Sequence, residues 1–298
     1  MATARLRAAA RPGAAALLVV GLLIVGLVAA GCTTSSPSSA PIKLTVYGAA
    51  SLKGVLESVR TAYAVAQPGV ALTIATDASS TLRTQIEQGA PADLFLSADE
   101  SNPAALVEAG LTDGATVDFA GNSLVIIVPN GNPGAVTTAS DLARSGVKVI
   151  AAGDAVPIAR YASQVVANIA ATPNAPAGFV ARHEANVVSR EQNVKAVVAK
   201  IELGEGDAAI VYASDARASS KVEIIALPTA VDVRATYSGV VVKSTDDATA
   251  AHAFLDWLAG PPGSAVLADF GFVPPSGSGS RASPRPGPAS PSASAPPS

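Results

Sequence analysis

From residue 44 to residue 272, short apolar runs alternate with stretches whose apolar residues recur every three or four positions. The first pair sets the pattern. Leu44, Val46 and the small residues Gly48 to Ala50 predict a buried strand, and Leu52, Val55, Leu56, Val59 and Ala62 then follow at the i, i+3, i+4, i+7 spacing of an amphipathic helix. Ser51 stands between them, where the helix should begin. The unit repeats at 70–76 (VALTIAT), a strand followed by Ser79, Ser80 and a helix expected from Leu82. Further strands are predicted at 93–97, 122–129, 147–152, 208–212, 222–227 and 237–242, with a short one at 187–188. The run at 122–129 is apolar almost throughout, as a strand covered on both faces is. Helices are predicted at 104–110, from the loop 153–161 to about Ile169, at 193–203, 248–258 and 263–270. Shorter helical turns are expected at 141–146 and from Ser214-Asp215, and 170–178, with Pro173 and Pro176, reads as a loop.

Strands alternating with helices predict α/β layers with a mixed, mostly parallel sheet. The stretch 41–274 is long enough for one large or two medium domains. In open α/β sheets ligands bind beyond the carboxyl ends of strands. Ser51, Ser79, the Pro157-Ile158 pair and Tyr212 all follow predicted strands, and Val194 opens a helix. Several helix starts can therefore converge on one cleft. A serine at a helix start ordinarily caps it by accepting a backbone N–H. The same free N–H groups and the positive end of the helix dipole also suit an anion, toward which the hydroxyl turns as a donor.

Composition narrows the partners. Apolar residues make up 49% of the chain, so a core is well supplied, while aromatics at 4% argue against a stacking surface for nucleic acid or sugars. Net charge is −3, and without Arg5, Arg7 and Arg11 of the leader it becomes −6, with 17 basic and 23 acidic residues. No basic patch is visible, which argues against a nucleic-acid or polyanion partner, and an anion site must rest on local dipoles.

The two ends differ from the middle. Residues 1–31 carry three Arg, an apolar run and small residues before Cys32, the pattern of an export signal, with an uncleaved anchor as the competing reading. Val28-Ala29-Ala30-Gly31-Cys32 resembles the lipobox of bacterial lipoproteins, which implies acylation of Cys32 and an anchor on the outer face of the cell membrane. A single cysteine excludes an intrachain disulfide framework. Residues 32–41 read as a flexible tether and 275–298 as a disordered Pro/Ser-rich tail.

Six blocks then carry a family resemblance: TVYGAASL at 45–52, ASSTLRTQIEQGAPADLFLSAD at 78–99, GNSLVIIVP at 121–129, GDAVPIARYA at 153–162, QNVKAVVAKIELGEGDAAIVYASDA at 192–216 and AFLDWLAGPPGSAVLADFGF at 253–272. In this order they resemble the molybdate-binding proteins of ABC importers. The resemblance implies two α/β lobes joined by a hinge, 42–121 plus 238–274 forming one and 122–237 the other, with the oxyanion held between them. It places ligand contacts on Ser51, Ser79, Ile158, Val194 and Tyr212. The family commonly has Ala-Gly where this chain has Ile158-Ala159, and its preceding loop is about two residues longer. The resemblance also implies a monomer, an ABC permease as partner, molybdate with tungstate as transported ligand, and no cofactor. Another tetrahedral oxyanion such as sulfate is the alternative.

Molybdate is a tetrahedral dianion that only accepts hydrogen bonds at neutral pH. Ser51, Ser79 and Tyr212 supply hydroxyls, and Ile158 and Val194 supply only backbone N–H groups. An enzyme built on Ser51 or Ser79 is disfavoured by the lack of a G-x-S-x-G elbow. His183 and His252 stand without spaced metal-ligand partners. Asp93 and Asp99 are expected to be structural, and Arg160 to be a solvated residue of the helix after Pro157.

Overall fold

Gly48 shows how tightly the first strand and helix are joined. A Cβ there would sit 2.4 Å from the Leu56 Cδ1, so the buried Leu56 side chain of the helix packs directly on the bare glycine of the strand. The computed structural model describes residues 41–275. The leader over 1–31, Cys32, all but the last residue of the tether and all but the first residue of the tail lie outside the described residues.

The chain opens with β1 (Ile42–Ala49), in which Leu44 and Val46 point into the core and alternate with half-buried Thr45 and Tyr47. A 3-10 turn over Ala50–Leu52 leads into α1 (Lys53–Ala66), which buries Val55, Leu56, Val59 and Tyr63. Next come β2 (Val70–Asp77), α2 (Ser79–Glu87), β3 (Leu94–Ser97), α3 (Ser101–Glu108) and the long β4 (Val117–Pro129). A second run follows with β5 (Val149–Ala152), α4 (Pro157–Ala170), α5 (Phe179–Asn186), β6 (Val187–Glu191), α6 (Val194–Glu202), β7 (Ala209–Tyr212), α7 (Ala213–Arg217) and β8 (Val222–Ala226). The chain returns through β9 (Arg234–Val241) and closes with α8 (Ala248–Ala259) and α9 (Pro261–Asp269).

The main sheet runs β2-β1-β3-β9-β4-β7, with β8 also on β4, and β5-β6 form a separate pair. Pairing is parallel for β1 with β2 and β3 and for β5 with β6. It is antiparallel for β3 with β9 and for β4 with β7, β8 and β9. The α/β class stands, but the expected predominance of parallel pairing is corrected: β9 is the returning strand, and it runs against both its neighbours. The first half of β4 pairs with β9 and the second half with β7 and β8, so β4 carries the sheet from the β1–β3 side to the β7–β8 side. One continuous apolar cluster extends from Leu44 and Val46 through Ile126 to Val149, Val197 and Val211. Tyr63 meets Phe254 and Trp257 edge-on at 4.9 and 5.1 Å and ties α1 to α8.

Other differences have local causes. Helix α5 was not expected, because Phe179 is its one buried residue and no apolar stripe marks it. Helix α2 starts at Ser79 rather than Leu82, since its first turn faces the strand ends rather than the apolar core. Strand β4 starts at Val117 rather than Asn122, with a register shift between Asp118 and Ala120 interrupting the alternation. Helix α9 begins on Pro261 itself, at a first-turn position where a missing N–H costs nothing.

Candidate functional site

The carboxyl ends of β1, β2 and β3 face those of β5, β6 and β7 across one small cavity. Its lining includes Ser51, Ser79, Ile158, Val194 and Tyr212, so the residues predicted from 51 to 212 are brought together in one place. All are buried, at 6%, 1%, 1%, 3% and 1% exposure respectively. The remaining lining is Ala49, Ala50, Ala78, Ala98, Val156, Pro157 and Asn193, with no ionisable acid or base. The cavity's enclosed volume of ≈ 10 Å³ is far below the roughly 300–1,000 Å³ of organic-ligand pockets.

Side-chain caps are scarce at the helix starts here, as they are at α1, α3, α5, α7, α8 and α9. The N-cap of α2 is Ala78 and that of α4 is Val156, and neither provides a side-chain cap. Ser79 is the first residue of α2, and Ser51 lies within the turn before α1, so neither serine is the cap that its sequence position suggested. The first-turn N–H groups of a helix have no acceptor within it. At α6 the cap exists but is selective. Asn193 Oδ1 accepts from the Ala196 N–H at 3.0 Å, which leaves Val194 uncapped. Pro157 opens α4 and Ile158 follows it at the cavity lining, with its side chain in the apolar cluster.

The hydroxyls are disposed to donate. Ser79 Oγ accepts from the Ala98 N–H at 3.1 Å, which leaves its own proton free. Ser51 Oγ lies 2.9 Å from Tyr237 Oη. Tyr212 Oη is buried with no hydrogen-bond partner among the described residues. Burial, followed by the neighbouring tyrosines and carboxylates, holds the Tyr212 phenol far above its ordinary pKa, so it stays a neutral donor.

Charged groups stand around the cavity rather than in it. Arg160 lies over the Tyr161 ring at 4.8 Å and reaches 3.6 Å from Asp99 across the outer cleft. The solvated Arg160 expected from sequence is thus half-exposed but ion-paired. Asp99 also accepts from Ser97, Ser101 and Asn102 at 2.8, 2.8 and 3.0 Å, and Asp93 accepts from the Thr45 N–H at 2.6 Å, both structural roles. On the opposite side of the cavity, Asn193 Nδ2 donates to Asp77 Oδ1 at 3.2 Å. Behind it, Lys195 Nζ lies 2.6 Å from the fully buried Asp215, pinning the start of α6 to α7. Burial raises the Asp215 pKa and Lys195 opposes that rise. Among the described residues no group of three or more His, Cys, Asp and Glu is placed to hold a metal ion.

A larger cavity of ≈ 190 Å³ between β5, β6, α4 and α5 shares Ile158 but none of Ser51, Ser79, Val194 or Tyr212. Its polar lining mixes Ser163, His183 and Arg190 with the acidic Asp154 and Glu184, whereas the smaller cavity has no acidic lining and is the better site for an anion. Sequence reasoning missed Tyr237, Asn122, Asn193 and the Lys195–Asp215 pair. Asn193 alone had a local signal, an Asn directly before an apolar-periodic run.

The sequence profile of the family described as bacterial extracellular solute-binding protein matches residues 44–273. The molybdate-binding protein ModA of Mycobacterium tuberculosis (strain H37Rv) is 32% identical over 261 residues, covering 87% of this chain and 95% of that protein. Among solved structures, the periplasmic molybdate-binding protein of Azotobacter vinelandii superposes with a TM-score of 0.67 at 25% identity, covering 78% of this chain and 100% of that one. The sulfate-binding protein SubI of Mycobacterium tuberculosis superposes with a TM-score of 0.69 at 23% identity, over 78% of this chain and 87% of that one, a likeness of fold alone.

Proposed function

Since the chain belongs to the bacterial extracellular solute-binding proteins, which bind and do not catalyse, we propose that it captures molybdate, and tungstate with it, in the cavity around Ser51, Ser79, Ile158, Val194 and Tyr212. The observation that carries this reading is the donor set. Two serine hydroxyls, one unpartnered phenol, the uncapped starts of α2 and α4 and the start of α6, whose Asn193 cap is spent on Ala196, meet in one small cavity lined by no charged side chain.

A dianion in such a site is stabilised by hydrogen bonds alone. Burying a charge is costly unless it is fully bonded. Each bond to a charged group contributes on the order of 1.5–3 kcal/mol net, so several converging donors offset the loss of hydration. Neutral donors leave the anion its charge and favour its release when the cleft opens. In this reading 42–121 with 238–274 and 122–237 are the two lobes, and β4 and β9 cross between them. The Arg160–Asp99 and Asn193–Asp77 contacts join the lobes on either side of the ligand. The leader exports the protein, Cys32 carries the lipid that holds it at the outer face of the cell membrane, and the closed lobes deliver the anion to an ABC import permease.

The test is thermal unfolding of the leaderless protein with molybdate, tungstate, sulfate and phosphate in turn. A ligand at 100 times its Kd adds about 2.7 kcal/mol, a rise in Tm on the order of 5–10 °C at this chain length. Stabilisation by molybdate and tungstate is the expected result. Stabilisation by sulfate in their place would keep the binding role and reassign the solute. No shift with any oxyanion, in folded and ligand-free protein, would overturn the oxyanion reading.

A further inference from the structure

Ser51 is backed by a buried chain of polar groups that the family relationship does not account for. Tyr237 Oη lies 2.9 Å from Ser51 Oγ, and Asn122 Nδ2 lies 3.4 Å from the same Oη and 2.8 Å from Ser214 Oγ. Tyr237 and Asn122 are 0% exposed, so bulk water does not compete for these bonds. The chain has a direction. An amide nitrogen only donates, so Tyr237 accepts from Asn122 and has its own proton to give to Ser51. Either hydroxyl of this pair can be the donor; with Tyr237 donating, the Ser51 proton is left for the cavity it lines.

We infer that Asn122 and Tyr237 form a one-way relay that commits the Ser51 hydroxyl to donating, and that the relay sets the site's preference for fully deprotonated tetrahedral anions over singly protonated ones. The inference rests on the oxyanion reading of the cavity. A fully deprotonated oxyanion only accepts, and a serine held as a donor matches it. Hydrogen phosphate carries a proton that needs an acceptor, and a serine that already accepts from Tyr237 and gives its own proton to the anion has one lone pair left, so it meets that proton less well than a free hydroxyl. The reversed Asn122 amide would draw the Tyr237 proton away. Ser51 would then donate to Tyr237 and turn lone pairs on the ligand, so a bound dianion favours the orientation found. Tyr237 and Asn122 are positioning residues: they act through Ser51.

Replacing Tyr237 by Phe removes the relay and keeps the ring contacts with Phe272 at 5.3 Å, Tyr212 at 5.6 Å and Phe119 at 6.2 Å. Titration calorimetry on leaderless protein with molybdate, and with phosphate in competition, tests it across four proteins: wild type, Ser51→Ala, Tyr237→Phe and the double variant. Tyr237→Phe is expected to weaken molybdate about tenfold and to lower the molybdate-to-phosphate preference. In the Ser51→Ala background the same change should matter less than about twofold, because a residue acting only through Ser51 has nothing left to act on. An unchanged affinity in Tyr237→Phe, or an equal loss in both backgrounds, overturns the relay while the molybdate reading stands. Wild-type protein that binds no oxyanion overturns the site reading, and the relay with it. Should Tyr237→Phe fail to unfold cooperatively, Asn122→Ala removes the upstream donor and must show the same dependence on Ser51. Additive losses there overturn the relay equally.

Discussion

Substituting Tyr212 by Phe should separate stability from binding, because the two effects have opposite signs. The Tyr212 hydroxyl is buried without a partner among the described residues, on a residue only 1% exposed. An unsatisfied buried polar group costs about 1–3 kcal/mol. Removing it should therefore cost the ligand-free protein nothing and stabilise it by up to that amount. The ring itself stays, with its edge contacts to Tyr237 at 5.6 Å and Tyr161 at 6.3 Å. In the complex the same hydroxyl is a neutral donor to a dianion, and the loss of one charge-assisted bond is about 1.5–3 kcal/mol, roughly ten- to hundredfold in Kd. Urea denaturation of the ligand-free protein reads the first effect, and titration calorimetry with molybdate reads the second. A variant destabilised by more than about 1 kcal/mol with unchanged affinity would refute the reasoning. It would mean that the hydroxyl serves the core and not the ligand.

Two further substitutions probe the scaffold away from the donors. Gly48→Ala places a Cβ 2.4 Å from the Leu56 Cδ1 and should destabilise by about 1–3 kcal/mol in urea denaturation, because the buried Leu56 side chain must leave its place; a neutral result would show that Leu56 re-orients without cost. At Asp141 burial opposes ionisation, but the N–H groups and hydroxyls of Thr137 and Thr138 outweigh it and hold the carboxyl below its ordinary 3.8. A depressed pKa gives stability that is present above the unfolded value and lost as pH falls through the folded one. Asp141→Ala should thus cost about 1 kcal/mol near neutral pH, and its difference from wild type should shrink as the pH is lowered below 3.8. A difference that does not depend on pH would show that the carboxylate's charge contributes nothing to the cap.

Much of the site was legible because its residues stand directly after apolar runs. Ser51 follows β1, Ser79 follows β2 and Tyr212 ends β7, and a period-two run giving way to a helical period marks each junction. The supporting residues were not legible for a physical reason. Asn122 and Tyr237 lie inside strands, 115 positions apart, where a polar side chain reads only as a break in the apolar pattern. They meet because β4 and β9 are antiparallel neighbours, and periodicity encodes the burial of a strand but not its partner. The same gap explains the sheet. Alternating strands and helices predict parallel pairing, yet β9 returns from a distant part of the chain and runs against both β3 and β4.

The serines show how a correct position can carry an incomplete role. Seen in the sequence, a Ser at a helix start is a cap. In the fold the cap position of α2 belongs to Ala78 and that of α4 to Val156, residue types that leave first-turn N–H groups unmet. Each such choice costs roughly 0.5–2 kcal/mol relative to a capping side chain. Side-chain caps are missing at α1, α3, α5, α7, α8 and α9 as well, so what sets the open starts of α2 and α4 apart is their place beside the cavity that Ser51, Ser79 and Tyr212 also line. A self-capped helix there would have fewer donors to offer the proposed anion.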